Sequence, residues 1–254
     1  MGDILSTRGL LVVVGWLSGI VSTVIVSTYK SYLDRTAELR KNRTETRRVY
    51  LDPLRVASKD LRDCFQRVYK RVILEKDISP ADLKENYNLR FWFRRCKDYI
   101  VDPTAQGTEE IRRRDFAMYS GGTGCEAAST LYYAACYLYY ATRIRFKSPY
   151  IRLGSDDREL IARIDEVRAK LSQLEFYSVT QDSTGVSMKS AGGEMKDYRE
   201  FCEAISSKSE GAWFMTLADV FLKLHLHSEE EAQAVLASLD RLTTFLDRSL
   251  PAKG

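Results

Sequence analysis

The hydrophobic pattern changes character once along this chain. Residues 9–29 read GLLVVVGWLSGIVSTVIVSTY, 21 positions without a charge. Wound as a helix at about 1.5 Å per residue, such a run covers roughly 30 Å, the hydrocarbon thickness of a bilayer. Beyond it, apolar residues recur at intervals of three and four, the spacing of helices that bury one face. The pattern predicts a transmembrane anchor at 1–29, a basic juxtamembrane stalk helix at 30–50 and an α-helical domain at 51–254.

Within that domain Leu54, Ala57, Leu61, Cys64 or Phe65, Val68 and Val72 make one stripe, with Asp52 placed to cap the helix and Pro53 to open it. Arg55, Lys59, Arg62, Arg67 and Lys70 fall on its other faces. A helix over 89–101 turns Phe91, Trp92, Phe93, Tyr99 and Ile100 inward, while Arg90, Arg94, Arg95 and Lys97 carry their charges outward on apolar stems. The most hydrophobic helix follows: Ala127, Leu131, Ala134, Leu138 and Ala141 share a face, and Tyr133, Tyr137 and Tyr140 line another beside Tyr132 and Tyr139. Apolar almost all round, it belongs at the centre of the bundle. Its 16 uncharged residues, 127–142, are short for a second span.

Ser155 is placed to cap a helix striped by Leu160, Ile164, Val167, Leu171 and Leu174. Residues 178–193, rich in Ser, Thr and Gly, lack periodicity and predict a long loop. Two helices over 194–205 and 212–226 precede a last one, opened by a Ser228–Glu231 capping box, striped by Ala232, Val235, Leu239, Leu242, Leu246 and Leu250, and ended at Pro251. The expected fold class is all-α: one N-terminal transmembrane helix followed by a multi-helix bundle of roughly six or seven helices.

Charge orients the anchor. Lys30, Arg35, Arg40, Lys41, Arg43, Arg47 and Arg48 follow the run, against Arg8 alone before it. Lys and Arg resist translocation, so the C-terminal side should be cytoplasmic, in a single-pass membrane protein. A cleaved signal peptide would want a basic start, a shorter apolar core and a small-residue cleavage site; here Asp3 offsets Arg8, the run is long, and no Ala-x-Ala follows. Five scattered cysteines without a CxxC fit a reducing compartment. Gly15 and Gly19 form a GxxxG that Thr23 and Ser27 continue, a small-residue face suited to dimerisation. Residues 30–114 hold 22 Lys/Arg against 14 Asp/Glu, whereas 115–254 hold 16 against 20. Attraction of juxtamembrane bases to anionic lipid accounts for this gradient, with Lys30, Arg35, Arg40, Lys41 and Arg43 as candidate lipid-surface contacts. A nucleic-acid partner is not expected, because no binding motif accompanies the charge.

Chemistry is sparse. Ser120, Gly121, Gly122, Thr123, Gly124 and Cys125 form a glycine-rich turn, and Thr123 with Glu126 has capping-box spacing. Free N–H groups at such a helix start could hold an anion. No Gly-Lys-Ser/Thr and no preceding strand makes it a nucleotide loop. A bend joining two helices is the plainer reading. His225 and His227, spaced HxH near Glu229, Glu230 and Glu231, would lie about 200° apart on a helix, too far round to share a metal. No HExxH, GxSxG or EF-hand loop is present, and no catalytic residue, cofactor or metal is expected.

Leu51-Asp52-Pro53-Leu54-Arg55 and the stretch STLYYAACYLYYATRIR at 129–145 resemble segments of a group of bacterial proteins of unassigned function, which carry an N-terminal membrane span and a helical cytoplasmic domain. The resemblance covers about a fifth of the chain, and 178–193 departs from that group's pattern. It implies an inner-membrane setting and no mechanism. The combined expectation is a membrane-tethered helical interaction or sensing module, with the bilayer, a second copy and a protein partner of unspecified identity as its contacts. The alternative is a ligand-binding or enzymatic domain with its site near Ser120 to Cys125 and the tyrosine-rich helix.

Overall fold

The computed structural model describes residues 30–38, 47–74, 89–101, 122–147, 157–207 and 209–249. The expected anchor at 9–29, with Gly15, Gly19 and Thr23, lies outside them, as do Arg40, Lys41, Arg43, Ser155 and Pro251. The chain divides into a unit over 1–46 and a larger one over 47–254. Of the first, 30–38 is a helix with no buried position; Lys30 and Arg35 are exposed, and the Thr36 hydroxyl donates to the Tyr32 and Leu33 carbonyls.

The described part of the second unit is all-helical. A π turn at Arg47–Leu51 leads directly into α1, Asp52–Leu74. There follow α2 (Leu89–Val101), α3 (Gly122–Lys147), α4 (Asp157–Gln173), α5 (Ser178–Ser187), α6 (Tyr198–Ile205) and α7 (Ala212–Lys223), then a 3₁₀ turn at Leu224–Leu226 and α8 (Glu229–Ser249). The one strand-like contact among the described residues is an isolated antiparallel bridge between Lys189 and Met195. No helix among the described residues is long and apolar enough to cross a membrane.

The helix α3 is the hub. It packs against α1, α2, α5, α6 and α7, while α8 lies across α1 and α4. Ala127, Ala128, Leu131, Ala135, Tyr137 and Ala141 are fully buried, as the all-round apolar pattern requires. The stripe of α1 is buried as expected, from Leu54 to Val72, and its basic flank meets α8: Arg55 and Lys59 pair with Asp247, and Arg62 with Asp240. Trp92, Phe93 and Cys96 of α2 turn inward, and Phe93 stacks on Phe221 of α7 at 5.3 Å. Arg90, expected to point outward, is buried instead.

Two helix starts differ from expectation. Asp52 does not cap a fresh helix, because the π turn runs straight into it. Pro53 has no N–H to give to the preceding turn, so one bond that would carry a regular α-helix back through Arg47–Leu51 is missing. The helix α3 begins at Gly122, whose φ is +62°, so Thr123 already sits in the first turn and the Glu126 carboxylate pairs with Arg71 rather than closing a capping box. The Ser228–Glu231 box forms as expected, with Ser228 N donating to Glu231 Oε2 at 2.9 Å and Glu231 N to Ser228 Oγ at 3.2 Å. A second box, Asp197 with Glu200, opens α6.

The larger correction concerns 178–193. Ten of these residues form α5. Its inward face is Gln181, Thr184 and Gly185, so no hydrophobic stripe announces it. Specific bonds replace hydrophobic contact: Gln181 Nε2 donates to the carbonyls of Arg168 (2.9 Å) and Phe176 (2.6 Å), and Thr184 Oγ1 to that of Trp213 (2.9 Å). Arg168, only 3% exposed, grips Asp182 with both terminal nitrogens at 2.7 and 3.0 Å. Gly185 lets α5 approach α3, for a Cβ there would lie 2.6 Å from the Leu138 carbonyl oxygen. Only the turn beyond α5 is irregular, and Gly193 closes it at φ +88°.

Candidate functional site

On α1 the residues Asp52, Val56 and Asp60 recur every fourth position and so share one face. On α3, Tyr132, Cys136 and Tyr140 do the same, with Tyr133 alongside. Where α1 packs against α3, these two rows wall a cleft of about 410 Å³, closed at one side by Met195. The first-turn Asp52 and the solvent-side Val56, which is 53% exposed, are thus placed by α1's register and not by its core stripe.

The charge in this cleft is negative. Among the described residues neither Asp52 nor Asp60 has an ion-pair partner; the neighbouring Asp63 is held by Arg62 at 2.9 Å. Partial burial, with the Asp63 charge beside it, raises the Asp60 carboxyl above its ordinary value. Burial pushes the Cys136 thiol up to about 12 and raises Tyr132 and Tyr140 as well, so all three stay protonated near neutral pH. The Tyr132 ring is tilted against Tyr133 with centroids 5.8 Å apart. The arrangement offers aromatic faces, neutral hydroxyls and two carboxylates, which together suit a positively charged guest.

The expected site residues come together only in part. Ser120 and Gly121 lie outside the described residues. Gly122, Thr123, Gly124 and Cys125 form the first turn of α3, where Arg71 pairs with Glu126 and reaches Thr123 Oγ1 at 3.4 Å. The Glu126 carboxylate occupies the cation that an anion would seek there. Cys125 Sγ faces Tyr198 Oη at 3.9 Å, and Tyr137 is wholly buried, so neither lines the cleft that Tyr133 and Tyr140 share. His225 sits in the 3₁₀ turn with Nδ1 3.1 Å from the Leu222 carbonyl, and His227 meets Glu231 at 3.5 Å. No group of three metal-ligating side chains converges among the described residues. All five cysteines are free.

No family model, curated protein or solved structure matches this chain. The site therefore rests on its own geometry. Asp52 and Asp60 are what the sequence pattern concealed. In the sequence Asp52 reads as a helix cap and Asp60 draws no notice on a basic amphipathic helix, and the signal that could have found them is their eight-residue separation, which sets them on one face with Val56 between.

Proposed function

We propose that this chain is a membrane-tethered helical sensing module whose cleft between α1 and α3 takes a small organic cation. The observation that carries the reading is the pair of carboxylates, Asp52 and Asp60, set without cationic partners among the described residues against three tyrosines in a cleft of about 410 Å³. A carboxylate drawn partly out of water is costly until an opposite charge joins it. Tyrosine faces add roughly 0.5–2 kcal/mol of attraction for a cation, more as it is desolvated. The cleft's volume falls within the range of small-molecule sites. The tether is supported by the uncharged run at 9–29 and its basic flank. Gly15, Gly19 and Thr23 supply a face through which two anchors would associate.

Choline and its uncharged carbon isostere 3,3-dimethylbutan-1-ol test the ligand class on the full chain in lipid nanodiscs. By calorimetry choline should bind about tenfold or more tightly than the isostere. Equal affinity for the two, or no heat from either, would overturn the cation site. Alkaline carbonate extraction tests the tether separately: the chain should stay with the membrane pellet, and release into the supernatant would remove that half of the proposal.

A further inference from the structure

A second cleft opens further along the same helix. It has a volume of about 360 Å³ and lies where the C-terminal part of α3 meets the end of α5 and the turn after it. Tyr139, Arg143, Phe146, Val186 and Lys189 line it. Its charge is opposite to that of the first cleft.

Arg143 is held in place by aromatic contacts. Its guanidinium lies 5.3 Å from the ring centroids of both Tyr50 and Tyr139, and Nη1 donates to Tyr139 Oη at 2.7 Å. No carboxylate among the described residues pairs with it. Two residues on, Arg145 shows the usual arrangement, with Asp165 at 2.9 Å and Asp182 at 3.7 Å. Lys189, on the opposite wall, is exposed and likewise has no acidic partner among the described residues. Two uncompensated cations facing one cavity, one of them fixed by aromatic contacts, form a site for an anion, and arginine suits the oxygens of a phosphate in particular.

The rim narrows the class. Phe146 is 62% exposed and Val186 56% exposed, and both border the cleft. Large apolar side chains beside paired cations suit a guest that carries its anion on a hydrocarbon body. Tyr50, which covers Arg143, lies in the π turn three residues after the unit begins at Arg47. We propose that this second cleft binds the phosphate headgroup of an anionic phospholipid, with Arg143 and Lys189 on the phosphate and Phe146 and Val186 against the first carbons of the acyl chains. The membrane-tethered reading enters only as the source of the lipid, and the test below does not depend on it.

Native mass spectrometry of the full chain, released from detergent doped with equal amounts of dimyristoyl phosphatidylglycerol and dimyristoylglycerol, which has neither a phosphate nor a cationic group, reads the preference directly. The wild-type chain should retain the phosphatidylglycerol adduct about tenfold over the dimyristoylglycerol one. The Arg143→Gln, Lys189→Gln double variant should lose that preference, Arg143→Lys should keep most of it, and Phe146→Ser should weaken both adducts. Lys189 is exposed, so Lys189→Gln alone keeps the test valid if the double variant does not fold. An undiminished preference in the glutamine variants would place the lipid elsewhere on the chain and overturn the proposal. Saturable binding of inorganic phosphate, seen by ³¹P NMR and unaffected by Phe146→Ser, would make the guest a soluble phosphate and overturn the lipid assignment.

Discussion

The two clefts on α3 share one wall and differ in charge. Both take their aromatic surface from the tyrosines of that helix, Tyr132, Tyr133 and Tyr140 in one and Tyr139 in the other, and their volumes are about 410 and 360 Å³. The sign comes from what each cleft gathers around that wall. The helix α1 sets Asp52 and Asp60 against the first, whereas the second combines Arg143 of α3 itself with Lys189 beyond α5. On the two proposals a single tyrosine-rich helix would serve two guests of opposite charge, with selectivity resting on the surrounding charges more than on the shared aromatic wall. The partners are held differently too. The helix α1 is fixed by a buried apolar stripe, and α5 by polar bonds and one glycine.

That difference predicts where the molecule breaks first. Arg168→Ala leaves the part-buried Asp182 without its two-pronged partner, and losing two charge-assisted hydrogen bonds costs about 3 kcal/mol. Arg145, 3.7 Å from Asp182, softens the loss. Denaturation followed by far-UV circular dichroism should show this as the largest effect. Below the transition, phosphatidylglycerol binding at the second cleft should fall while choline binding at the first persists. Joint loss of both would show that α3 does not insulate the two clefts. Gly185→Ala comes next. The added methyl would sit 2.6 Å from the Leu138 carbonyl and 2.8 Å from Thr142 Oγ1, and overpacking against backbone costs about 2 kcal/mol. Gly192→Ala, whose Cβ would meet only Ser190 Oγ at 3.8 Å, is the matched control and should change little.

The same contrast explains what the sequence could and could not say. The buried rows of α1, α3 and α8 were legible because leucine, valine and alanine at helical spacing have one cheap solution, a shared core. Leu54 to Val72 and Ala232 to Leu246 accordingly sit where periodicity puts them. The helix α5 was illegible because Gln181, Thr184 and Gly185 favour burial only when Arg168, Phe176, Trp213 and Leu138 arrive from other parts of the chain. Local composition then reads as a loop. The first cleft was half legible: the tyrosines stood out, but Asp52 and Asp60 acquire meaning only from the register of α1 on α3, which no local pattern encodes. The second depended on which arginine lacks a carboxylate, and Arg143 and Arg145 look alike in the sequence.

Asp60 offers the next smaller effect, with stability and binding moving in opposite directions. Its carboxyl is raised by burial and by Asp63, so the folded chain holds that proton to higher pH than the unfolded chain does. Between the two values the folded state binds more protons, and stability attributable to Asp60 falls as pH rises through the window. Asp60→Asn removes the penalty, so the variant should be slightly more stable than wild type at neutral pH and should lose that advantage in acid. Cation affinity should fall about tenfold in the same variant, the loss expected for one charge-assisted contact. In the wild type, choline binding should weaken as pH drops through the Asp60 titration. Glu166 titrates with the opposite sign: the Arg241 and Arg163 contacts hold it low, so stability due to it is present above its unfolded value and lost in acid. Measuring binding and melting on the same pH series separates the two residues, since Glu166 lies outside the first cleft.

The smallest effect belongs to Tyr137, the tyrosine that joins neither cleft. It is fully buried, and its Oη has no hydrogen-bond partner among the described residues, so it contributes a hydroxyl stripped of water with nothing in return. Leaving such a group unpaired costs about 1–3 kcal/mol, though burying the ring itself is favourable. Tyr137→Phe keeps the ring and deletes the orphan, so the variant should be as stable as wild type or more stable by up to about 1 kcal/mol. Both binding reactions should be unchanged, because the side chain reaches neither cavity. A marked loss of stability would mean that the hydroxyl has a partner, with Arg168, whose charge favours the ionised phenol, as the candidate. That outcome would tie the core of α3 to the Arg168–Asp182 clamp and make the second cleft depend on the tyrosine helix for more than its wall.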